Sequence, residues 1–199
     1  MNIQNYQPFN PSWAEIFHKQ RELKFLYEPE AKELFENFDI DCFEDQELFK
    51  KYCWRITEEL VEAEEAYIKH DGRDHIEEEL IDALNFSIEL ALLYGWDPAE
   101  ILKDSATIRR NLPYFGEEGL LAEVAEIIYT LGLSANRLKN RQWRRSQYLV
   151  DLLVFEKDLK TFFFTEYYML WRYFGSGEKI RQAWSLKYQV NLFRIQTNY

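Results

Sequence analysis

The chain has 199 residues, of which 47% are hydrophobic, and a formal net charge of −11 at pH 7. This length suits one domain with a sizeable core. The acidic balance argues against a nucleic-acid binder, because phosphate backbones are bound through an excess of Lys and Arg. No run approaches the ~18 uninterrupted apolar residues of a membrane span, and the first residues lack the basic and apolar regions of a signal peptide. We therefore expect neither a nucleic-acid partner nor a membrane partner.

The two cysteines, Cys42 and Cys53, lack the spacing of a zinc site or of a disulfide framework. Structural disulfides belong to oxidising compartments and are rare in the cytosol. The cysteine usage therefore predicts a cytoplasmic protein.

Helical patterns fill the first half of the chain. A first helix is predicted within residues 10–29, with Gln20 near its middle, and a short one in EAKELFENF. A long helix follows from about residue 45 to the polar turn at residues 71–72. The next helix runs from about residue 74 to 94, where a glycine and an Asp-Pro pair mark its end.

The second half of the chain is also helical in pattern. Another helix is predicted in DPAEILKDSATIRR, and the segment NLPYFGEEG breaks the chain between two halves of one domain. Periodicity resumes in LLAEVAEIIYTLGLSANRLK, in an aromatic-rich stretch from about residue 143 to 174, and in EKIRQAWSLKYQVNLFRIQ. No convincing alternating strand occurs. The sequence predicts an all-α helical bundle with short loops, forming a single domain over residues 1–199.

The two helices beside the 71–72 turn each carry a pair of carboxylates three residues apart. Glu59 and Glu62 lie on the first helix, next to an apolar stripe, and Glu79 and Asp82 lie on the second, on a row that continues to Phe86. The short turn makes the two helices antiparallel neighbours. We therefore expect the four carboxylates to come together.

Four desolvated and unpaired negative charges would be strongly unfavourable, at several kcal/mol each. A divalent cation would neutralise them. Oxygen ligands suit a hard ion, and Mg²⁺ takes a few carboxylates and completes its octahedron with waters and substrate phosphates. A single E-x-x-E is more often a solvated helix face. The combination of two pairs predicts a site for Mg²⁺, or for Mn²⁺, formed by Glu59, Glu62, Glu79 and Asp82.

Two stretches carry a resemblance to a known family. The run TEELVEAEEAYIKHDGRDHIEEELIDALNFSIELALL resembles the metal-binding core of the all-alpha nucleoside triphosphate pyrophosphohydrolases, which include MazG-like enzymes and dimeric dUTPases. The segment KYQVNLFRIQTNY is similar to the nucleotide-binding motif of dimeric dUTPases and phage dCTPase-dUTPases, K-N-x-L-N-x-F-R with a final G-Y. The positions in step are Lys187, Val190, Asn191, Phe193, Arg194 and Tyr199.

Some positions depart from that pattern. Tyr188 stands where the family prefers Asn, Asn198 where it prefers Gly, and Asn85 where the acidic motif is usually followed by His. Gln20 loosely matches the first-helix Gln that family members use for the nucleotide.

The resemblance implies a homodimeric, all-α enzyme that hydrolyses dUTP to dUMP and pyrophosphate with Mg²⁺. A water molecule oriented by Glu59 or Glu62 would attack the α-phosphorus in line. The residues expected to contact the nucleotide are Gln20, Lys69, Asn85, Lys187, Asn191, Arg194 and Tyr199. The alternatives are hydrolysis of dCTP or of another, damaged nucleotide, and a non-enzymatic helical dimer that serves as a scaffold. The presence of all four acids argues against the scaffold.

A second E-x-x-E occurs at Glu123 and Glu126, as a relic of an internal duplication would. The following helix offers no E-x-x-D, so its neighbours cannot supply a second complete set of oxygen donors. We expect this half to pack against the first and to leave an aromatic surface for a two-fold dimer interface.

Overall fold

The computed structural model describes residues 8–98, 101, 119–138 and 151–197. Within these ranges the chain forms seven α-helices and no strand, which confirms the prediction of an all-α protein. The helices are α1 (Trp13–Tyr27), α2 (Ala31–Glu36), α3 (Phe43–Lys69), α4 (Arg73–Leu93), α5 (Leu120–Arg137), α6 (Leu152–Phe174) and α7 (Gly177–Thr197). Most of the predicted helix at 97–110 and of the break at 111–119, residues 143–150 of the aromatic stretch, and Tyr199 lie outside the described residues.

Local capping explains several helix ends. Ser12 caps α1 in a capping box, where its side chain accepts from the backbone N–H of Glu15 and the Glu15 carboxylate accepts from that of Ser12. His70 caps the C-terminus of α3 with its backbone in the left-handed region, at φ 57°. Gly72 follows at φ 96°, a backbone conformation that glycine adopts without a steric penalty. This short turn makes α3 and α4 antiparallel neighbours, as their spacing predicted.

One hydrophobic cluster connects the helices. The helix α3 buries the stripe of Ile56, Leu60 and Ala63 against α4, and α5 and α6 pack on each other and on α3. Most aromatic rings of α6 are buried in this core. The expected aromatic dimer surface is therefore reduced to the partly buried rings of α6, which are Phe164, Tyr168 and Trp171.

The remaining contacts create one cleft. The helix α1 packs on α4 and α7, and α7 packs on α4 and α6. As a result, side chains of α1, α3, α4 and α7 meet above the acidic face of the α3–α4 pair. Among the described residues, no helix is both long enough and apolar enough to cross a lipid bilayer.

Candidate functional site

Three of the predicted metal ligands come together. Carboxylate oxygens of Glu59 on α3 and of Glu79 and Asp82 on α4 all lie within 4.8 Å of one another. Each residue is partly buried. The helical row that joins Glu79 to Asp82 faces Glu59 across the antiparallel pair, so the juxtaposition follows from the pattern of the sequence.

The carboxyl groups of this acid cluster have raised pKa values. Burial raises the pKa of Glu59 to about 8, and the neighbouring charges of Asp82, Glu62 and Glu79 contribute to the rise. Burial and the charge of Asp82 also raise the pKa of Glu79. Carboxylates this crowded hold protons above their ordinary range unless a cation neutralises them. The donor set consists of carboxylate oxygens only, which suits a hard divalent cation.

Glu62 does not belong to this group of three. Its position, three residues after Glu59, is rotated by about 60° around the helix axis, and the residue is exposed. Glu62 lines a groove of about 430 Å³ on the outer side of α3, together with Trp54 and Lys69. Its charge still contributes to the raised pKa of Glu59, so it stands at the margin of the cluster.

Lys187 reaches the acid cluster from α7. Its Nζ lies 2.5 Å from Asp82 Oδ2 and 2.6 Å from Glu78 Oε1, and the side chain is only 9% exposed. Burial opposes its charge, but Asp82 and Glu78 together hold the pKa of Lys187 above its ordinary value. The lysine therefore already neutralises part of the cluster.

The cleft beside the cluster has a volume of about 330 Å³. The predicted residues that line it are Gln20, Glu59, Asp82, Asn85, Lys187, Asn191 and Arg194. The cluster therefore opens onto a cleft that contains two of the predicted cations, Lys187 and Arg194, and three predicted amide side chains, Gln20, Asn85 and Asn191.

The orientation of Asn85 is fixed by its neighbours. Trp184 Nε1 can only donate, and it donates to Asn85 Oδ1 at 2.9 Å. The Asn85 amide nitrogen then lies toward Asp82, 3.3 Å from Oδ1. Asn85 thus supports the position of a metal-ligand candidate, in addition to lining the cleft.

Lys69 is not brought to the cleft. It lies ten residues beyond Glu59, about 15 Å further along α3, and its exposed ammonium pairs with Glu65. Of the predicted nucleotide contacts, Lys69 is therefore displaced to the outer groove, and Tyr199 lies outside the described residues.

The sequence reasoning missed four charged residues of the cleft, Lys24, Glu28, Arg55 and Glu89. Two of them could have been found from helical spacing, since Glu89 follows Asp82 by seven residues and Lys24 follows Gln20 by four. The Arg55 guanidinium lies 5.3 Å from the centroid of the Phe86 ring, a contact that connects α3 with α4.

The acidic pair of the second half has a different environment. Glu123 Oε1 accepts a hydrogen bond of 2.6 Å from Arg172 Nη1 of α6, and Glu126 is exposed. Within the described ranges, the group of Glu59, Glu79 and Asp82 is the only one of three or more potential ligands with metal-binding proximity.

Comparison of the chain with protein-family models, with curated proteins and with solved structures finds no match in any of the three.

Proposed function

We propose that the protein is a Mg²⁺-dependent nucleoside triphosphate pyrophosphohydrolase that converts dUTP to dUMP and pyrophosphate. The observation that carries this proposal is the acid cluster of Glu59, Glu79 and Asp82, which opens onto a cleft lined by Lys187 and Arg194. Acidic ligands for a hard cation beside basic side chains suit a triphosphate, because the cation and the basic groups share its charge.

Glu59, Glu79 and Asp82 would hold the cation, with Glu62 at its margin. The bound cation would neutralise the carboxylates and withdraw charge from the phosphate oxygens. Mn²⁺ would be accepted because it shares the preference for oxygen ligands.

The residues of the chain have distinct tasks in this reaction. Glu59 orients the attacking water and accepts its proton, because a cation bound beside it would keep its carboxylate ionised. A bond forms between the water oxygen and the α-phosphorus, and the bond from the α-phosphorus to the bridging oxygen of pyrophosphate breaks. Arg194 and Lys187 stabilise the charge on the phosphate groups, and for this Lys187 has to exchange part of its contact with Asp82 and Glu78.

The two alternative functions would involve the same cleft. Hydrolysis of dCTP or of a damaged nucleotide would use the same acids with a different base. A scaffold without activity would not need the crowded carboxylates, which is why we prefer an enzyme.

We further propose a cytoplasmic homodimer. On its outer side α3 exposes the apolar side chains of Trp54, Val61 and Ile68, and light scattering on the purified protein would measure its mass in solution.

The test is a panel of common nucleoside triphosphates with the purified protein in Mg²⁺, Mn²⁺ or EDTA. The expected products are a monophosphate and pyrophosphate, with dUTP the best substrate and no turnover in EDTA. In ¹⁸O-labelled water, the label should enter the monophosphate, because the water attacks the α-phosphorus. Release of orthophosphate, or label in pyrophosphate, would show that the reaction is a different one.

A further inference from the structure

A directed chain of hydrogen bonds connects α7 to the acid cluster. The indole Nε1 of Trp184 donates to Asn85 Oδ1 at 2.9 Å, and Asn85 Nδ2 donates in turn to Asp82 Oδ1 at 3.3 Å. An indole N–H can only donate, and the carboxylate of Asp82, which pairs with Lys187, can only accept. The two ends therefore fix the direction of the chain and the orientation of the amide between them.

The donor end of this chain is held inside the core. Trp184 is 0% exposed, and its ring is stacked on that of Tyr188, with the ring centroids 5.2 Å apart and the planes at 20°. The ammonium of Lys19 on α1 lies 5.3 Å from the centroid of the Tyr188 ring. Asn85 is itself buried, so its carbonyl oxygen depends on the indole for a donor. The indole is a fixed point from which the amide is oriented.

Asp82 is linked to α7 at both carboxylate oxygens, but through groups of different kinds. Lys187 pairs directly with Oδ2, and as a cation it competes with any metal ion for the same carboxylate. The amide of Asn85 is neutral and does not compete through charge. A carboxylate oxygen has two lone pairs, so Oδ1 can accept from Asn85 and still bind a cation. The hydrogen bond from Asn85 is therefore the contact that is compatible with a bound cation.

We propose that Trp184 is a positioning residue that acts through Asn85 to hold the Asp82 carboxylate in the orientation that binds a divalent cation. The inference deepens the proposed function and rests on it in that Asp82 is a ligand of the cation. It gives Asn85 a task at the cation that is separate from contact with the nucleotide. Trp184 does not line the cleft, so its effect on the cation has to pass through the amide.

The first measurement is the affinity for Mn²⁺ without nucleotide, determined by electron paramagnetic resonance. Trp184→Phe keeps an aromatic ring but removes the N–H group. The Kd for Mn²⁺ should rise by roughly tenfold, because hydrogen bonds that orient a metal ligand typically change metal affinity by about 10- to 100-fold. Trp13→Phe is the matched control, because the ring of Trp13 packs on Tyr167 of α6 and does not line the cleft. Its Kd should equal that of the wild type.

A double-mutant cycle separates positioning from a general loosening of α7. Asn85→Ala removes the amide through which the indole acts, and it should weaken Mn²⁺ binding by roughly tenfold on its own. Adding Trp184→Phe to Asn85→Ala should weaken binding no further. Additive losses would mean that Trp184 acts by another route and would overturn the inference. An unchanged Kd in folded Trp184→Phe would overturn it as well.

A spectroscopic measurement tests the chain without any variant of Trp184. In protein with ¹⁵N-labelled tryptophan, the indole N–H signal of Trp184 is identified by its contact with the Tyr188 ring. This signal should shift when Mg²⁺ is added, because a cation on Asp82 changes the polarisation of each hydrogen bond in the chain. In Asn85→Ala the shift should be lost. A shift that persists in Asn85→Ala, or that is absent in wild-type protein with bound Mg²⁺, would overturn the inference.

Cation binding and hydrolysis are measured separately, so the two proposals can fail separately. Weakened Mn²⁺ binding in Trp184→Phe and Asn85→Ala, in a protein that hydrolyses no nucleoside triphosphate, would support the inference and reject the pyrophosphohydrolase. Cation-dependent hydrolysis with an unchanged Kd in both variants would overturn the inference and leave the proposed function intact. Absence of cation binding, with and without nucleotide, would overturn both.

Discussion

The two halves of the molecule use the same sequence pattern in opposite ways. Glu59 and Glu62 on α3 and Glu123 and Glu126 on α5 are both E-x-x-E pairs on long helices that pack against a following helix. Across from α3, the next helix presents Glu79 and Asp82, whereas across from α5 it presents Arg172. The spacing places the acids on one helix, but the facing helix decides what they do.

The two acidic groups also differ in their effect on the stability of the fold. The Glu123–Arg172 pair is an ion pair with a short hydrogen bond between partly buried side chains, at 20% and 16% exposure, and such a contact stabilises the fold. The α3–α4 cluster has more negative than positive charge in contact, even with Lys187 included. The first half therefore accepts a cost in stability at the place where a cation would bind, as functional sites often do.

The largest expected difference between the halves is in activity. Glu59→Gln and Asp82→Asn should each lower turnover by roughly three orders of magnitude, because each removes a ligand charge without touching the apolar stripe. Steady-state kinetics measure the loss, and circular dichroism should show unchanged helicity.

The control for this prediction is the double variant Glu123→Gln/Glu126→Gln, which should retain most activity under conditions where it is folded. Glu59→Gln/Glu62→Gln should have none. Equal losses in both double variants would show that the site extends over the second half as well.

A smaller effect on activity is expected at the C-terminal helix. Arg194 lines the cleft from α7, and removing its charge-assisted hydrogen bonds to phosphate in Arg194→Ala should raise KM by roughly 10- to 100-fold. Arg181→Ala is the control on the same helix, because Arg181 bonds to Asn10 and does not line the cleft. A KM that rises equally in both variants would point to a change in α7 as a whole and against a phosphate contact of Arg194.

The helical pattern alone was enough to predict the fold class and the meeting of Glu59, Glu79 and Asp82. Helical periodicity fixes which residues share a face, and a short turn fixes the neighbour of that face. The start of α3 at Phe43, against a predicted start near residue 45, shows the usual uncertainty of helix ends.

Contacts between helices far apart in the chain could not be predicted in the same way. Helical periodicity places Glu59 and Glu62 on adjoining rows of α3. The rotation of α3 about its axis relative to α4 decides which of the two faces α4, and this rotation depends on how the whole core packs. The partners of Lys187 and Lys24 are set by the docking of α7 and α1 on α4. Such partners follow from tertiary packing, which spacing within one helix does not determine.

The third prediction compares the halves in stability. Glu123→Gln takes the charged partner from Arg172 and should lower the free energy of unfolding by about 1–3 kcal/mol. Glu62→Gln, an exposed glutamate of the other E-x-x-E pair, should stay within about 0.5 kcal/mol of the wild type. Chemical denaturation of both variants measures the difference, and an unaffected Glu123→Gln would mean that the ion pair contributes nothing net.

The last prediction concerns a buried acid of the core that lies apart from the acids of the site. Glu166 of α6 is 2% exposed and accepts a hydrogen bond of 2.7 Å from Ser87 of α4. Burial raises the pKa of Glu166 to about 8. Between the ordinary value of 4.5 and about pH 8, the folded protein keeps a proton that the unfolded chain has lost.

Stability is therefore expected to fall as the pH rises through this window, by at most about 5 kcal/mol from this group. Glu166→Gln does not titrate and still accepts from Ser87, although its new amide hydrogens need partners. Denaturation of both proteins from pH 4 to 9 gives the difference in their free energies of unfolding. That difference should move in favour of the variant as the pH rises, and then level off above about pH 8. A difference that stays constant over the whole range would mean that Glu166 titrates alike in the folded and unfolded states, which a carboxyl group enclosed in an apolar core should not do.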